Sequence, residues 1–228
     1  MTLQAAAIIV AAGSSARMGF DKICAPLAGR TVLEWSLQAF QDCSDVSEIV
    51  LVCAADRLTE FQKLAAAFSK VRNVTPGGAQ RSASVLNGLA ILSANPPALV
   101  AVHDAARPLI SPSLVSRVLH AAMTNQAASA AQPVTDSLHR GQTDGVLSET
   151  VSRQNLFAMQ TPQAASFDLL WDALRTHPDV TDEVSALIAS GIHPQAIVHN
   201  EPNFKITYPL DLQLAEILRN ADYNNSAI

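Results

Sequence analysis

The sequence predicts a doubly wound α/β fold on a mostly parallel sheet, with a β-arm standing away from it. Three observations carry that prediction. Short apolar runs alternate with helical patterns along most of the chain. Several runs are almost continuously apolar, as strands buried on both faces are. The alternation falters between about residues 134 and 155, where polar and β-branched residues surround Gly141 and Gly145.

The elements follow in order. Ala5–Ala12 is a buried strand that runs into a small-residue loop at Gly13. Thr31–Phe40 places Val32, Leu33, Trp35, Leu37 and Phe40 at helical spacing. Glu48–Ala54 is the next strand, Leu58–Phe68 a helix and Val71–Thr75 a weaker strand. Arg81–Leu92 is a helix with Val85, Leu86 and Leu89 on its apolar face, and Leu99–His103 is a strand. Ser113–Ala122 is helical and Ser129–Pro133 extended. The segment 134–155 reads as a hairpin or as a surface loop, and no element is assigned between it and the helix Phe167–Leu174. Asp182–Ser190, the strand Ala196–His199 and the helix Asp211–Asn220 complete the chain. Right-handed crossovers would join the parallel strands.

The 228 residues suit one domain spanning 1–228, and 49% hydrophobic residues can fill a core. With 15% charged residues and a net charge of −5, disorder and nonspecific nucleic-acid binding are not expected. The longest wholly apolar run, Ala5–Ala12, is far short of the roughly 20 residues of a membrane helix, and no Lys or Arg precedes it as in a secretory signal. Cys24, Cys43 and Cys53 lack metal spacing and read as reduced thiols of a cytoplasmic protein. His120, His177, His193 and His199 are scattered without metal spacing, and His103 reads as a structural residue packed before Asp104.

The stretch "IIVAAGSSARMGFDK" (8–22) raises the functional question. Ligands of open α/β sheets bind beyond the carboxyl ends of the strands, where this loop lies. Gly13 and the small Ser14, Ser15 and Ala16 let backbone N–H groups approach an anion, and Arg17 and Lys22 could grip phosphates. A simple strand-to-helix turn fits equally well. It is not a P-loop, because Phe20 follows Gly19, and not a dinucleotide fingerprint, because Ser15 stands where the second glycine belongs. In "VAVHDAARP" (100–108), Asp104 ends a strand, where a carboxylate could hold Mg²⁺ against a triphosphate or serve in a cap or salt bridge.

The loop is similar to the AGxGxRM pattern of nucleotidyltransferases that activate sugars and small phosphates, and is also close to that of molybdenum-cofactor guanylyltransferases. Later blocks point to one branch. "PGGAQRSASVLNGL" (76–89), "HDAARP" (103–108), "PVTDSLHR" (133–140), "VSRQNLFAMQTPQAA" (151–165), "TDEVSAL" (181–187) and "NFKITYPLDLQLAE" (203–216) resemble, in order, the 2-C-methyl-D-erythritol 4-phosphate cytidylyltransferase family. Ser137 and His139 depart from the family pattern, which usually has Lys at the latter position. Lys22 follows Arg17 by five residues, without the Pro-Lys pair often found seven residues on.

The resemblance implies a Rossmann-like nucleotidyltransferase domain whose arm at about 134–155 makes a homodimer. It implies CTP and 2-C-methyl-D-erythritol 4-phosphate as substrates, pyrophosphate as a product and Mg²⁺ or another divalent cation as cofactor, in the non-mevalonate route to isoprenoid precursors. Arg17 and Lys22 would stabilise charge at the α-phosphate. Ala11, Ala12, Gly13, Ser14, Gly78, Arg81 and Ser84 would frame the nucleotide. Asp104 would serve nucleotide, acceptor and metal. Arg107, Thr161, Thr181 and Lys205 would hold the acceptor, with Arg153 delivered into the neighbouring subunit's site by the arm. A ribitol-phosphate cytidylyltransferase, a guanylyltransferase and a nucleotide-binding regulator without turnover are the alternatives.

Overall fold

In a computed structural model, which describes residues 3–13 and 19–226 with side chains to 221, seven strands form one sheet. The chain runs β1 (Ala5–Ala11), a small hairpin β2 (Pro26–Leu27) and β3 (Arg30–Thr31), then α1 (Val32–Asp42) and β4 (Val46–Cys53). There follow α2 (Leu58–Ala65), β5 (Val71–Pro76), α3 (Arg81–Leu92), β6 (Leu99–Asp104), α4 (Pro112–Asn125) and β7 (Ala127–Pro133). The arm is β8 (Leu138–Gly141) and β9 (Leu147–Val151). The chain closes with β10 (Phe157–Ser166), α5 (Phe167–Thr176), α6 (Glu183–Ala189), β11 (Gln195–Val198) and α7 (Pro209–Ser226).

The sheet order is β11-β7-β10-β6-β1-β4-β5. Six strands run in one direction, and β10 is antiparallel to both β6 and β7. The predicted mostly parallel sheet and separate arm are therefore present. The pattern missed the short β2–β3 hairpin and, within the main sheet, β10. Its sequence, FAMQTPQAAS, holds a proline and three polar residues in its middle, which argues against a central strand. The ladder to β7 shifts register between Met159 and Gln163, so Pro162 falls where the ladder is interrupted and no N–H is required there.

Alternation along β1 sends its side chains to two helical layers. Ala5, Ala7, Ile9 and Ala11 pack with residues of α1, α2 and α4, whereas Ala6 and Ile8 pack with residues of α3, α5 and α6. Gly88 lets α3 approach β1 closely: a Cβ there would lie 2.8 Å from Ile8 Cγ2. Local signals start the helices. Thr31 and Glu34 form a reciprocal capping box on α1, Ser111 caps α4 ahead of Pro112, and Asp182 accepts from Ser185 N at α6. A third cluster, with Leu27, Val32, Leu109, Ile206 and Ala215, joins α7 and the segment before it to the β2–β3 hairpin.

After β1 the chain adds β4 and β5 on one side, then returns to place β6 on the other. The strand order thus reverses between β1 and β6. A crevice outside the carboxyl ends of these two strands is where such sheets bind ligands. Ala11–Gly13 and Asp104 lie there.

Candidate active site

Asp104 ends β6 and is 8% exposed. Its Oδ1 accepts from Arg81 Nε at 3.0 Å and its Oδ2 from Lys205 Nζ at 2.7 Å. Arg81, the first residue of α3, spends its two terminal nitrogens on the carboxylate of Glu183, at 2.6 and 3.0 Å. Glu183 opens α6 and is 1% exposed. Burial pushes the Asp104 carboxyl upward, but Arg81, Lys205 and Arg107 outweigh it and hold the group below the usual carboxylate range. Burial likewise disfavours the Arg81 charge, yet Glu183 and Asp104 together keep it firmly protonated. For Glu183 burial raises the carboxyl against the pull of Arg81. Both its oxygens nonetheless accept from a guanidinium, which is the geometry of a carboxylate.

The loop after Asp104 is fixed by a buried relay with one consistent set of proton positions. His103 Nε2 lies 3.2 Å from the Arg107 carbonyl, which can only accept, so Nε2 carries the hydrogen. Nδ1 must then accept from the Thr161 hydroxyl at 3.0 Å, and that oxygen accepts in turn from Asp104 N–H at 3.1 Å. The ring packs tilted on Phe40, with centroids 5.0 Å apart. Burial drives the His103 pKa down to about 3, so the imidazole is neutral. His103 is structural, as expected. Thr161 lies buried within β10 and ties that strand to the Asp104 backbone.

Arg107 donates from one terminal nitrogen to the Asn203 carbonyl at 2.8 Å, and its Nε is buried without a protein partner. Burial lowers its pKa despite Asp104. Asn203 donates to Gln160 Oε1 and to the Thr161 carbonyl at 2.8 and 2.9 Å, and Ile206 N–H donates to the Ala106 carbonyl at 2.8 Å. The segment 203–206 is thereby clipped along the loop, which brings Lys205 to Asp104. Lys22 Nζ donates to the Ile206 carbonyl at 2.9 Å, so it reaches the same segment. On the β1 side, Gly78 N–H donates to Ser84 Oγ at 3.1 Å, and a Cβ on Gly77 would lie 2.5 Å from Ala12 Cβ and 2.8 Å from Ser84 Oγ. The glycine turn therefore lies against the loop after β1.

The fold thus assembles Lys22, Arg81, Asp104, Arg107, Thr161 and Lys205 from the sequence-derived set, with Ala11, Ala12, Gly13, Gly78 and Ser84 at the adjoining strand end. Ser14 and Arg17 lie outside the described residues. Thr181 is exposed just before Asp182, whose carboxylate caps α6 and also accepts from Gln163 Nε2 at 3.2 Å. Arg153 is exposed at the base of the arm and donates to the Thr135 carbonyl. Sequence reasoning assigned no role to Glu183, Gln160, Gln163 or Asn203, although "TDE", "QTPQ" and "NFK" contain them.

Among the described residues no group of three or more His, Cys, Asp or Glu could hold a metal ion. Asp104 is a single carboxylate whose two oxygens each retain a further lone pair. It suits a hard cation that draws most of its roughly six oxygens from phosphates and water, as Mg²⁺ does. The three cysteines are free thiols, and burial raises the pKa of Cys43 and Cys53.

Arg81, Arg107 and Lys205 act on the buried Asp104 carboxylate, and Lys22 reaches the adjoining segment 203–206, at the switch point of a doubly wound sheet. This is the architecture of an α/β nucleotidyltransferase. The model of a family described as 2-C-methyl-D-erythritol 4-phosphate cytidylyltransferase matches residues 5–220. A protein of that name from Cereibacter sphaeroides (strain ATCC 17029 / ATH 2.4.9) is 40% identical over 216 residues, covering 93% of this chain and 96% of its own. The crystal structure of 4-diphosphocytidyl-2C-methyl-D-erythritol synthase from Anaerococcus prevotii superposes with a TM-score of 0.82 at 26% identity, over 96% of each chain. That of 2-C-methyl-D-erythritol 4-phosphate cytidylyltransferase from Thermus thermophilus gives 0.74 at 32% identity, over 96% of this chain and all of the other. The chain belongs to the 2-C-methyl-D-erythritol 4-phosphate cytidylyltransferase family.

Proposed function

We propose that this chain transfers a cytidylyl group from CTP to 2-C-methyl-D-erythritol 4-phosphate, yielding 4-diphosphocytidyl-2-C-methyl-D-erythritol and pyrophosphate. The observation that carries the assignment of roles is Asp104, held between Arg81 and Lys205 at the carboxyl end of β6. An oxygen of the acceptor phosphate attacks the α-phosphorus of CTP. A new P–O bond forms as the bond to the bridging oxygen breaks, and that electron pair leaves with pyrophosphate. The phosphate is itself the nucleophile, so the enzyme's task is positioning and charge stabilisation.

Both substrates are anions. Two unit charges held 4 Å apart near a protein surface repel by about 4 kcal/mol, and opposite charges offset that cost. In this reading Arg17 and Lys22 stabilise charge at the α-phosphate and the bridging oxygen. Arg107, Thr161, Thr181 and Lys205 hold the acceptor. Ala11, Ala12, Gly13, Ser14, Gly78, Arg81 and Ser84 frame the nucleotide, and Asp104 serves both substrates. A divalent cation such as Mg²⁺, taking one oxygen from Asp104, would neutralise triphosphate charge.

A homodimer belongs to the same reading, with Arg153 acting in the partner's site. Its support is the exposed apolar side chains of the arm and of the segment just after it: Val146 and Leu147 are 56% and 65% exposed in the single chain, Leu156 and Phe157 37% and 42%. A cytoplasmic location is supported by three free thiols. The test is a product assay with Mg²⁺, comparing CTP with GTP and methylerythritol phosphate with ribitol phosphate. Pyrophosphate release with CTP and methylerythritol phosphate is expected. Turnover only with another pair would overturn the assignment.

A further inference from the structure

Glu183 is buried, charged and absent from the roles assigned above. It reaches Arg81 across 102 residues of sequence and takes both terminal nitrogens of the guanidinium. A salt bridge that merely joined α6 to α3 would need no more than this. Arg81, however, has a third donor in the same plane. Its Nε is directed sideways onto Asp104 Oδ1 and leaves Oδ2 to Lys205. The four charged groups alternate in sign: Glu183, Arg81, Asp104, Lys205.

The order matters because a guanidinium facing a single carboxylate frequently takes it bidentately. Without Glu183, Arg81 could turn its fork toward Asp104 and claim both oxygens, and Lys205 would lose its anchor. With Glu183 occupying the fork, Arg81 offers Asp104 one bond only. Glu183 is itself held rigidly. The adjacent Val184 N–H donates to Gln163 Oε1 at 2.9 Å, and Asp182 caps the same turn. We propose that Glu183 is a positioning residue: by occupying the fork of Arg81 it keeps Asp104 Oδ2 on Lys205 and so sets Lys205 Nζ for the acceptor phosphate. This rests on the assignment of Lys205 to the acceptor.

The test is a double-mutant cycle on the full-length enzyme with CTP, Mg²⁺ and methylerythritol phosphate. Glu183→Gln keeps the shape, but its amide must face an Arg81 N–H. In the wild-type background it should lower kcat/KM for the acceptor by roughly 10- to 100-fold. In a Lys205→Gln background, followed by single turnover, the same change should cost less than about twofold, because the group it acts through is already gone. Equal losses in the two backgrounds, or no loss in either, would overturn the proposal, since a merely structural role predicts additivity. If Glu183→Gln shows no cooperative melt, Glu183→Asp is measured in both backgrounds against the same criteria. Absence of product from the wild type would count against the proposed reaction; a normal wild type with an additive cycle would count against Glu183 alone.

Discussion

Acidification offers a direct measure of the relay that fixes the loop after Asp104. His103 has a pKa near 3 in the folded chain, against 6.5 when unperturbed, because its buried ring cannot take up a charge cheaply. Between those values the unfolded state binds a proton that the folded state refuses. Stability from this group is therefore complete above pH 6.5 and is lost as pH falls toward 3. At pH 5 the unfolded imidazole lies about 1.5 units below its pKa, which at roughly 1.4 kcal/mol per unit removes about 2 kcal/mol of stability.

The assay is urea denaturation of the wild type and of His103→Gln at pH 7 and pH 5, at fixed protein concentration. Glutamine can donate to the Arg107 carbonyl and accept from Thr161 but does not titrate. Contributions of other groups, His199 included, cancel when the two pH differences are compared. The wild type should lose about 2 kcal/mol more than the variant on going from pH 7 to pH 5. Equal losses would refute a neutral, proton-refusing His103 and with it the hydrogen-bond directions assigned through Thr161 to Asp104.

Three further outcomes are expected. Lys22→Ala should lower kcat by roughly 10²–10⁴-fold with an unchanged melting curve, and near-normal turnover would exclude a role in the transition state. Arg153→Ala and Lys22→Ala, each inactive alone, should regain activity when mixed if the arm delivers Arg153 to the partner's site; failure despite demonstrated subunit exchange would place Arg153 elsewhere. Gly77→Ala, whose new Cβ would press on Ala12 and Ser84, should raise the KM for CTP, and an unchanged KM would remove this turn from the nucleotide site.

The strands that read correctly are those whose burial is written locally. β1, β4 and β6 are apolar runs because both faces are covered. The arm was legible because its two glycines break a polar, β-branched stretch. β10 was not, because its polar centre and Pro162 imitate a loop; only its neighbours on both sides explain how a bulged strand can bury Gln160, Thr161 and Gln163.

The site divides in the same way. The chain by itself determined which residue types would sit at the strand ends, since a cation-bearing loop after β1 and an acid at the end of β6 follow from local order and the crevice rule of open sheets. It could not determine what those residues touch. Asp104 meets Arg81 across 23 residues and Lys205 across 101, and no periodicity records such distances. The neutral state of His103, the fork of Arg81 turned toward Glu183 and the segment 203–206 clipped along the loop all depend on burial. Burial is fixed only when α3, α6 and the segment before α7 close over the same end of the sheet.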